Sequence, residues 1–309
     1  MENRMTESIL NPPLEPDKST PEVTNTMVDS IIKQAIKRNP RLGDVDTNSM
    51  RPVVAGALKE IANLEDLALR HKQILLNGQL PWTEEQIQKI KVLWVLSGPG
   101  YYRQPFKADI AEVEEIRGSS WAKYMGRHRL TYAGLLMRRL AEAKAGIPSA
   151  TLSQGVISSS IPELRTLVSI HAPLLFFNGQ KSENQDLRNV LQEVGEVIPT
   201  EKVVICDQDR ASGTLPQISH LKFPPPIELQ SGDEIGVITQ APHLARLGRL
   251  LNFNQDHPLL PSGVKFRALP LPSTAEGRDP HARIEAVKIL YYVFIVQQAT
   301  KEPYPYKLD

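Results

Sequence analysis

From residue 90 onward, short runs that are apolar at every position alternate with stretches whose apolar residues recur at helical spacing. A run too short for a helix and apolar throughout fits a strand covered on both faces, and such strands alternating with helices predict βα units and a parallel sheet. Five strands are expected: Ile90 to Leu96, Pro173 to Phe177, Lys202 to Cys206, Ile235 to Thr239 and Val264 to Leu269. Helices are expected over Trp121 to Ala145, Glu183 to Val194 and His281 to Ala299. Gly195 marks the end of the second, and Ser182 with Gln185 forms a capping box at its start. The fold class is therefore α/β: a Rossmann-like parallel sheet of about five strands flanked by helices, with an N-terminal helical extension.

The first 90 residues follow the helical period alone. Thr20-Pro21 reads as an N-cap followed by proline at the first helical position, and Val23, Met27, Ile31, Ile32, Ala35 and Ile36 then form one face. A second helix is expected from Pro52 to Leu76. Trp82, Thr83, Gln86 and Ile87 combine a capping box with a hydrophobic staple and start a short third one. These faces read as a cover over the domain behind them. The expected organisation is a disordered polar leader (1–20), a helical extension (21–89), the Rossmann-like domain (90–300) and a tail (301–309). The proline clusters at 223–226 and 300–305 read as stiff connectors or tail.

Composition narrows the partners. With 36 basic and 35 acidic residues the net charge is +1, so there is no general field for nucleic acid or a membrane surface. No segment reaches the uncharged run of about 18 residues that a membrane span needs. A single cysteine, Cys206, excludes an internal disulfide and fits a reducing, cytoplasmic setting. The HExxH, acidic-loop and G-x-S-x-G patterns are absent from the sequence, so neither a metal site nor a serine hydrolase is indicated.

Candidate chemistry lies where the strands end. The stretch from Glu234 to Arg246 runs out of a strand through Thr239 and Gln240 into a helix opened by Pro242, which places His243 and Arg246 on one helix face. An arginine near the positive end of a helix dipole calls for a compensating anion, either a ligand or a carboxylate of the fold. His243 can act as acid, base or donor, and the alternative is a hydrogen-bonded structural histidine. Ser97 and Gly98 after the first strand could cradle a phosphate or form a plain exit turn. Asn178, Gly179 and Lys181 end the second strand, Glu183 opens the next helix, and Asp207 is the first polar group past the third strand. Cys206 reads as a small buried hydrophobe. Arg127, His128 and Arg129 read as a solvated helix face, with the alternative that Arg127 and Arg129 face the pocket.

The order of these motifs resembles the YdcF/SanA/ElyC family of bacterial proteins. Lys181-Ser-Glu183 at a helix start, Asp207 after a strand, Thr214, and the run from Thr239 through His243 to Arg246 fall where that family carries an "sEa" start, a "D/E-x-S-x-N-T-x-E-N" loop and a "V-T-s-x-x-H-x-x-R" turn. The likeness covers about residues 90 to 270, and the loop around Thr214 lacks the family's Asn before the Thr and its Glu-Asn after it. The resemblance implies a soluble YdcF-type member with a pocket for a nucleotide-like ligand, S-adenosylmethionine among those reported for the family.

Two functions follow as expectations. In the first, His243 or Asp207 moves a proton in a transferase or hydrolase acting on a nucleotide-like or phosphorylated metabolite. Ser97, Gly98, Asn178, Gly179, Lys181, Glu183, Thr214, Thr239, Gln240 and Arg246 would hold that small molecule. In the second, the same pocket binds without turnover and the N-terminal helices present a partner surface.

Overall fold

The computed structural model describes residues 23–96, 125–147, 161–179, 198–207, 214–219, 221–254, 260–273 and 278–306, together with Lys181, Asn184, Leu187 and Arg188. All five expected strands form: β1 (Ile90–Val95), β2 (Leu174–Phe177), β3 (Val203–Ile205), β4 (Glu234–Gln240) and β5 (Lys265–Leu271). They make one parallel sheet in the order β3-β2-β1-β4-β5. Successive side chains of β1 serve two different cores. Val92 and Trp94 pack in one apolar cluster, Leu93 and Val95 in the other. Every residue of β4 is buried, as a central strand requires. At Gly236 of β4, an added Cβ would run into Leu269 Cδ1 and Leu93 Cδ2, so glycine leaves room for these two side chains from the neighbouring strands.

Helices cover both faces. On one side lie α1 (Asn25–Arg38), α2 (Thr47–Leu76), α7 (Ala241–Phe253) and α8 (Arg278–Leu290). On the other lie α3 (Glu84–Lys89) and α4 (Met125–Lys144), with α5 (Ile161–His171) beside α4. The short α6 (Thr214–Ser219) sits before β4. α5 and α6 occupy segments in which no helix is expected from sequence. The N-terminal extension is part of this core: Val28, Ile31 and Ile32 of α1 and Met50, Val54 and Ala57 of α2 are buried in one cluster with β1, β4 and β5. Much of the apolar face of α1 and α2 is thus spent inside the fold, as a cover.

Several boundaries differ from the expected ones. α1 begins at Asn25, because Thr24 supplies the cap by accepting the Met27 N–H at 3.2 Å. α2 begins at Thr47, with Asp46 accepting from the Asn48 N–H at 3.0 Å, so Pro52 stands inside the helix instead of opening it. The capping box of α3 is present as expected: Thr83 N–H donates to Gln86 Oε1 at 2.7 Å and Gln86 N–H to Thr83 Oγ1 at 3.4 Å. α8 starts before His281 and gives way to a wider π-helical turn at Tyr291–Val296, ended by Gln297 at φ 57°. Lys181, Asn184, Leu187 and Arg188 are helical, while Ser182, Gln185 and Gly195 lie outside the described residues, as does the leader at 1–20.

The proline-rich end is a strap rather than a loose tail. The N–H groups of Thr300 and Tyr304 donate to the carbonyls of Arg249 and Gly248 at 3.2 and 2.9 Å, and the rings of Tyr304 and Tyr306 pack against the core. Gly248 lets the strap approach, since a Cβ there would stand 3.0 Å from Tyr306 Cε2 and 3.5 Å from the Tyr304 nitrogen. Among the described residues, no helix is long and apolar enough to cross a membrane.

Candidate functional site

The strand order turns back on itself between β1 and β4, since the chain runs outward from β1 through β2 to β3 and then returns to the other side of β1. In open parallel sheets this switch point leaves a crevice outside the carboxyl ends of the two strands, where ligands bind. Residues from four elements converge there. Arg129 of α4 donates from Nε to Gln240 Oε1 at 2.6 Å and from Nη1 to the Leu96 carbonyl at 2.7 Å, so one guanidinium joins the ends of β1 and β4. Its Nη2 stands 3.4 Å from His243 Nδ1. Thr239 Oγ1 is 3.0 Å from the same nitrogen, and Thr214 Oγ1 of α6 is 2.7 Å from His243 Nε2. All five side chains are buried.

These contacts fix the ring's proton. A guanidinium only donates, so Nδ1 is the acceptor, taking Arg129 and the Thr239 hydroxyl, and Nε2 carries the hydrogen that goes to Thr214 Oγ1. Burial, with the Arg246 and Arg129 charges nearby, holds the imidazole well below its ordinary range, so the ring is neutral. In this state Nε2 has no lone pair with which to deprotonate Thr214. The arrangement orients hydroxyls and a cation; catalysis by His243 would require these partners to change.

Arg246 is paired within the fold. Its Nε donates to Glu285 Oε2 of α8, in a pair buried on both sides, and its guanidinium lies 5.7 Å from the centroid of the Tyr292 ring. Burial pushes the Glu285 carboxyl up, but the Arg246 and Lys288 charges more than reverse this and hold it well below the usual carboxylate range. His281 stands 3.8 Å from the other Glu285 oxygen, and burial lowers its pKa. The compensating anion at Arg246 is therefore a carboxylate of the fold.

Asn178, expected to hold ligand, has both ends of its amide engaged in the interior. It accepts from Trp94 Nε1 at 2.9 Å and donates to the Gln217 carbonyl of α6 at 2.7 Å. Gly179 is buried and its carbonyl accepts from Asn184 Nδ2 at 3.1 Å; Lys181 is exposed. Asp207 is exposed at the end of β3 and takes Asn184 Nδ2 at 2.8 Å and Arg188 Nη2 at 3.2 Å. Burial acts to raise its pKa, but these bonds and the Arg188 and Lys181 charges leave it lowered. Asp207 and His243, each expected as a proton carrier, have separate sets of partners. α6 connects the two halves of the rim, through Thr214 to His243 and through Gln217 to Asn178. Ser97, Gly98 and Glu183 lie outside the described residues.

Sequence reasoning placed Arg129 on a solvated face, and the structure corrects this: its side chain is 1% exposed. The signal was present in the helical period, because Arg129 stands in line with Ala133, Leu136 and Leu140, all buried. Asn184, which ties the end of β2 to the end of β3, carried no such sign. Among the described residues, no group of three or more His, Cys, Asp or Glu is placed to hold a metal ion. The fold and this cluster define a doubly wound α/β protein with a buried polar knot at its switch point. Comparison with protein-family models, with characterised proteins and with solved structures finds no match.

Proposed function

We propose that the protein binds a nucleotide-like or anionic small molecule, S-adenosylmethionine with its carboxylate among the candidates, in the crevice beyond β1 and β4. The observation that carries this reading is the meeting of Arg129 and His243 across the reversal of strand order. The guanidinium there is held by acceptors at both strand ends, and its planar fork suits a carboxylate or phosphate. The resemblance to YdcF-type proteins supports the ligand class. Arg129 takes the anion-holding part first assigned to Arg246, which is committed to Glu285. The lone thiol of Cys206 supports a cytoplasmic setting.

Binding without turnover is the form of this reading that the closed hydrogen bonding of His243 favours; transferase or hydrolase chemistry needs the ring released from Thr214 or Thr239. The test is thermal unfolding against S-adenosylmethionine, adenine nucleotides, sugar nucleotides and phosphate. A ligand at a hundred times its dissociation constant adds about 2.7 kcal/mol. At least one compound is expected to raise the melting temperature of the wild type and to lose that effect in Arg129→Met and in Gln240→Leu. No shift with any compound, or an equal shift in both variants, overturns the reading. Mass spectrometry of the incubated ligand then separates turnover from binding.

A further inference from the structure

Away from the strand ends, a cavity of about 800 Å³ opens between α2 and the C-terminal strap. Its walls include Val53, Leu64 and Leu67 of α2, facing Pro303, Tyr304 and Tyr306. Small-molecule sites are typically concave, lined mainly by apolar side chains, with volumes of about 300–1,000 Å³ and a few polar groups that fix orientation.

Two features of the lining bear on what the cavity can take. The first is Gly56, in the interior of α2 and on the cavity wall. Glycine inside a helix is unfavourable relative to alanine, because it gives up more backbone freedom on folding. Gly56 is exposed and a Cβ there would meet nothing within 4 Å, so no part of the fold requires glycine, and the helix backbone is left open on the cavity side. The second is His71, which also lines the cavity, is 3% exposed, and has an Nδ1 atom with no hydrogen-bond partner. That nitrogen has almost no accessible surface as the ring stands, so a ligand carboxylate would engage it only after a turn of the ring. Burial and the charges of Arg70 and Arg267 lower this imidazole to about 4, so it is a neutral hydrogen-bonding group.

Charge selects the ligand's sign. Among the described lining residues, four are cationic (Lys59, Arg70, Arg249, Lys301) and two are carboxylates (Glu60, Glu302), of which Glu60 is paired with Arg249. Gly56 and Arg70 both line the cavity, 14 residues apart on one helix, which is about 21 Å at 1.5 Å per residue. The space is thus elongated, apolar along its length and positive in balance.

We propose that this cavity is a second binding site, for an anionic amphiphile of the fatty-acid type, its acyl chain lying along α2 over Gly56 and its carboxylate at the end marked by Arg70 and His71. The test uses the full chain and dodecanoate below its micellar concentration, followed by calorimetric titration beside dodecanol and dodecyltrimethylammonium. One dodecanoate per chain is expected to bind, at least tenfold more tightly than either comparison compound. Gly56→Phe, which fills open space, is expected to weaken dodecanoate at least tenfold without lowering the melting temperature. Arg70→Glu, at an exposed position, is expected to weaken dodecanoate tenfold and improve the trimethylammonium compound. Absence of dodecanoate binding, equal binding of the cation, or affinity untouched by both variants overturns the proposal.

Discussion

The Arg129 guanidinium and the His243 imidazole meet 3.4 Å apart at the point where the order of the sheet reverses, one arriving from the helix after β1 and the other from the helix after β4. Because the first can only donate, this contact sets the tautomer of the second and, through it, the hydroxyls of Thr214 and Thr239. The polar knot is both a structural tie and the charge centre of the proposed site, and mutations should separate these two roles.

Stability should fall in mild acid because of buried neutral histidines. The folded-state pKa values of His71, His243 and His281 are all lowered from 6.5, so below that pH the unfolded chain takes up protons that the folded one refuses. Their stabilising contribution is present above pH 6.5 and is lost as pH falls toward the folded values, at up to about 1.4 kcal/mol per pH unit for each ring. Urea unfolding between pH 7 and 5 is expected to show this slope, reduced by roughly one proton in His243→Gln. An unchanged slope in that variant would show that His243 is protonated in the folded protein.

The buried pair of Arg246 and Glu285 should behave asymmetrically. Removing one partner leaves a charge without compensation, at about 3–5 kcal/mol, whereas replacing both by apolar groups is often close to neutral. Arg246→Met and Glu285→Leu are each expected to lower stability strongly, and the double variant to recover most of the loss in denaturant unfolding. Additive losses would show that Arg246 is not stabilised through Glu285. Neither change is expected to alter affinity at the strand ends by more than a few-fold where the variant folds.

Asn178→Leu separates scaffold from site. It strands the Trp94 indole N–H and the Gln217 carbonyl in the interior, which costs about 1–3 kcal/mol for each buried group left unpaired. The melting temperature should drop while the ligand-induced shift persists. Loss of ligand binding at full stability would return Asn178 to the binding surface.

The strap gives a further prediction. Gly248→Leu forces side-chain atoms into Tyr306 and the Tyr304 backbone, so it should destabilise the fold by an amount on the order of 1–3 kcal/mol, as overpacking does, with increased proteolysis near 300–306. Limited digestion that leaves the two proteins indistinguishable would contradict the packing of the strap on α7.

Much of the sheet could be read from the chain because the code is local and redundant: β1 and β4 are buried on both faces, so nearly every position in Ile90–Val95 and Glu234–Gln240 reports the same environment. The turn at Pro242 and the capping box at Thr83 are likewise short-range chemistry, and both are present. The role of Arg246 depended on Glu285, 39 positions away, and no spacing rule connects them. Arg129 was misplaced because its charge outweighed its position in the apolar stripe of α4. α6 was hidden because Thr214 to Ser219 forms a short helix with an internal proline and its value lies in two tertiary contacts, with His243 and Asn178.

Binding in the crevice between β1 and β4 is tested most directly by amide and histidine side-chain NMR spectra of the isotope-labelled chain, titrated with S-adenosylmethionine and with adenosine monophosphate. The account predicts that at least one of them shifts the His243 ring nitrogens and the amides of Gln240 through Arg246 in a saturable manner, with Arg129→Met abolishing the change. Spectra that stay fixed with both ligands at millimolar concentration, or shifts confined to residues away from the ends of β1 and β4, would contradict it.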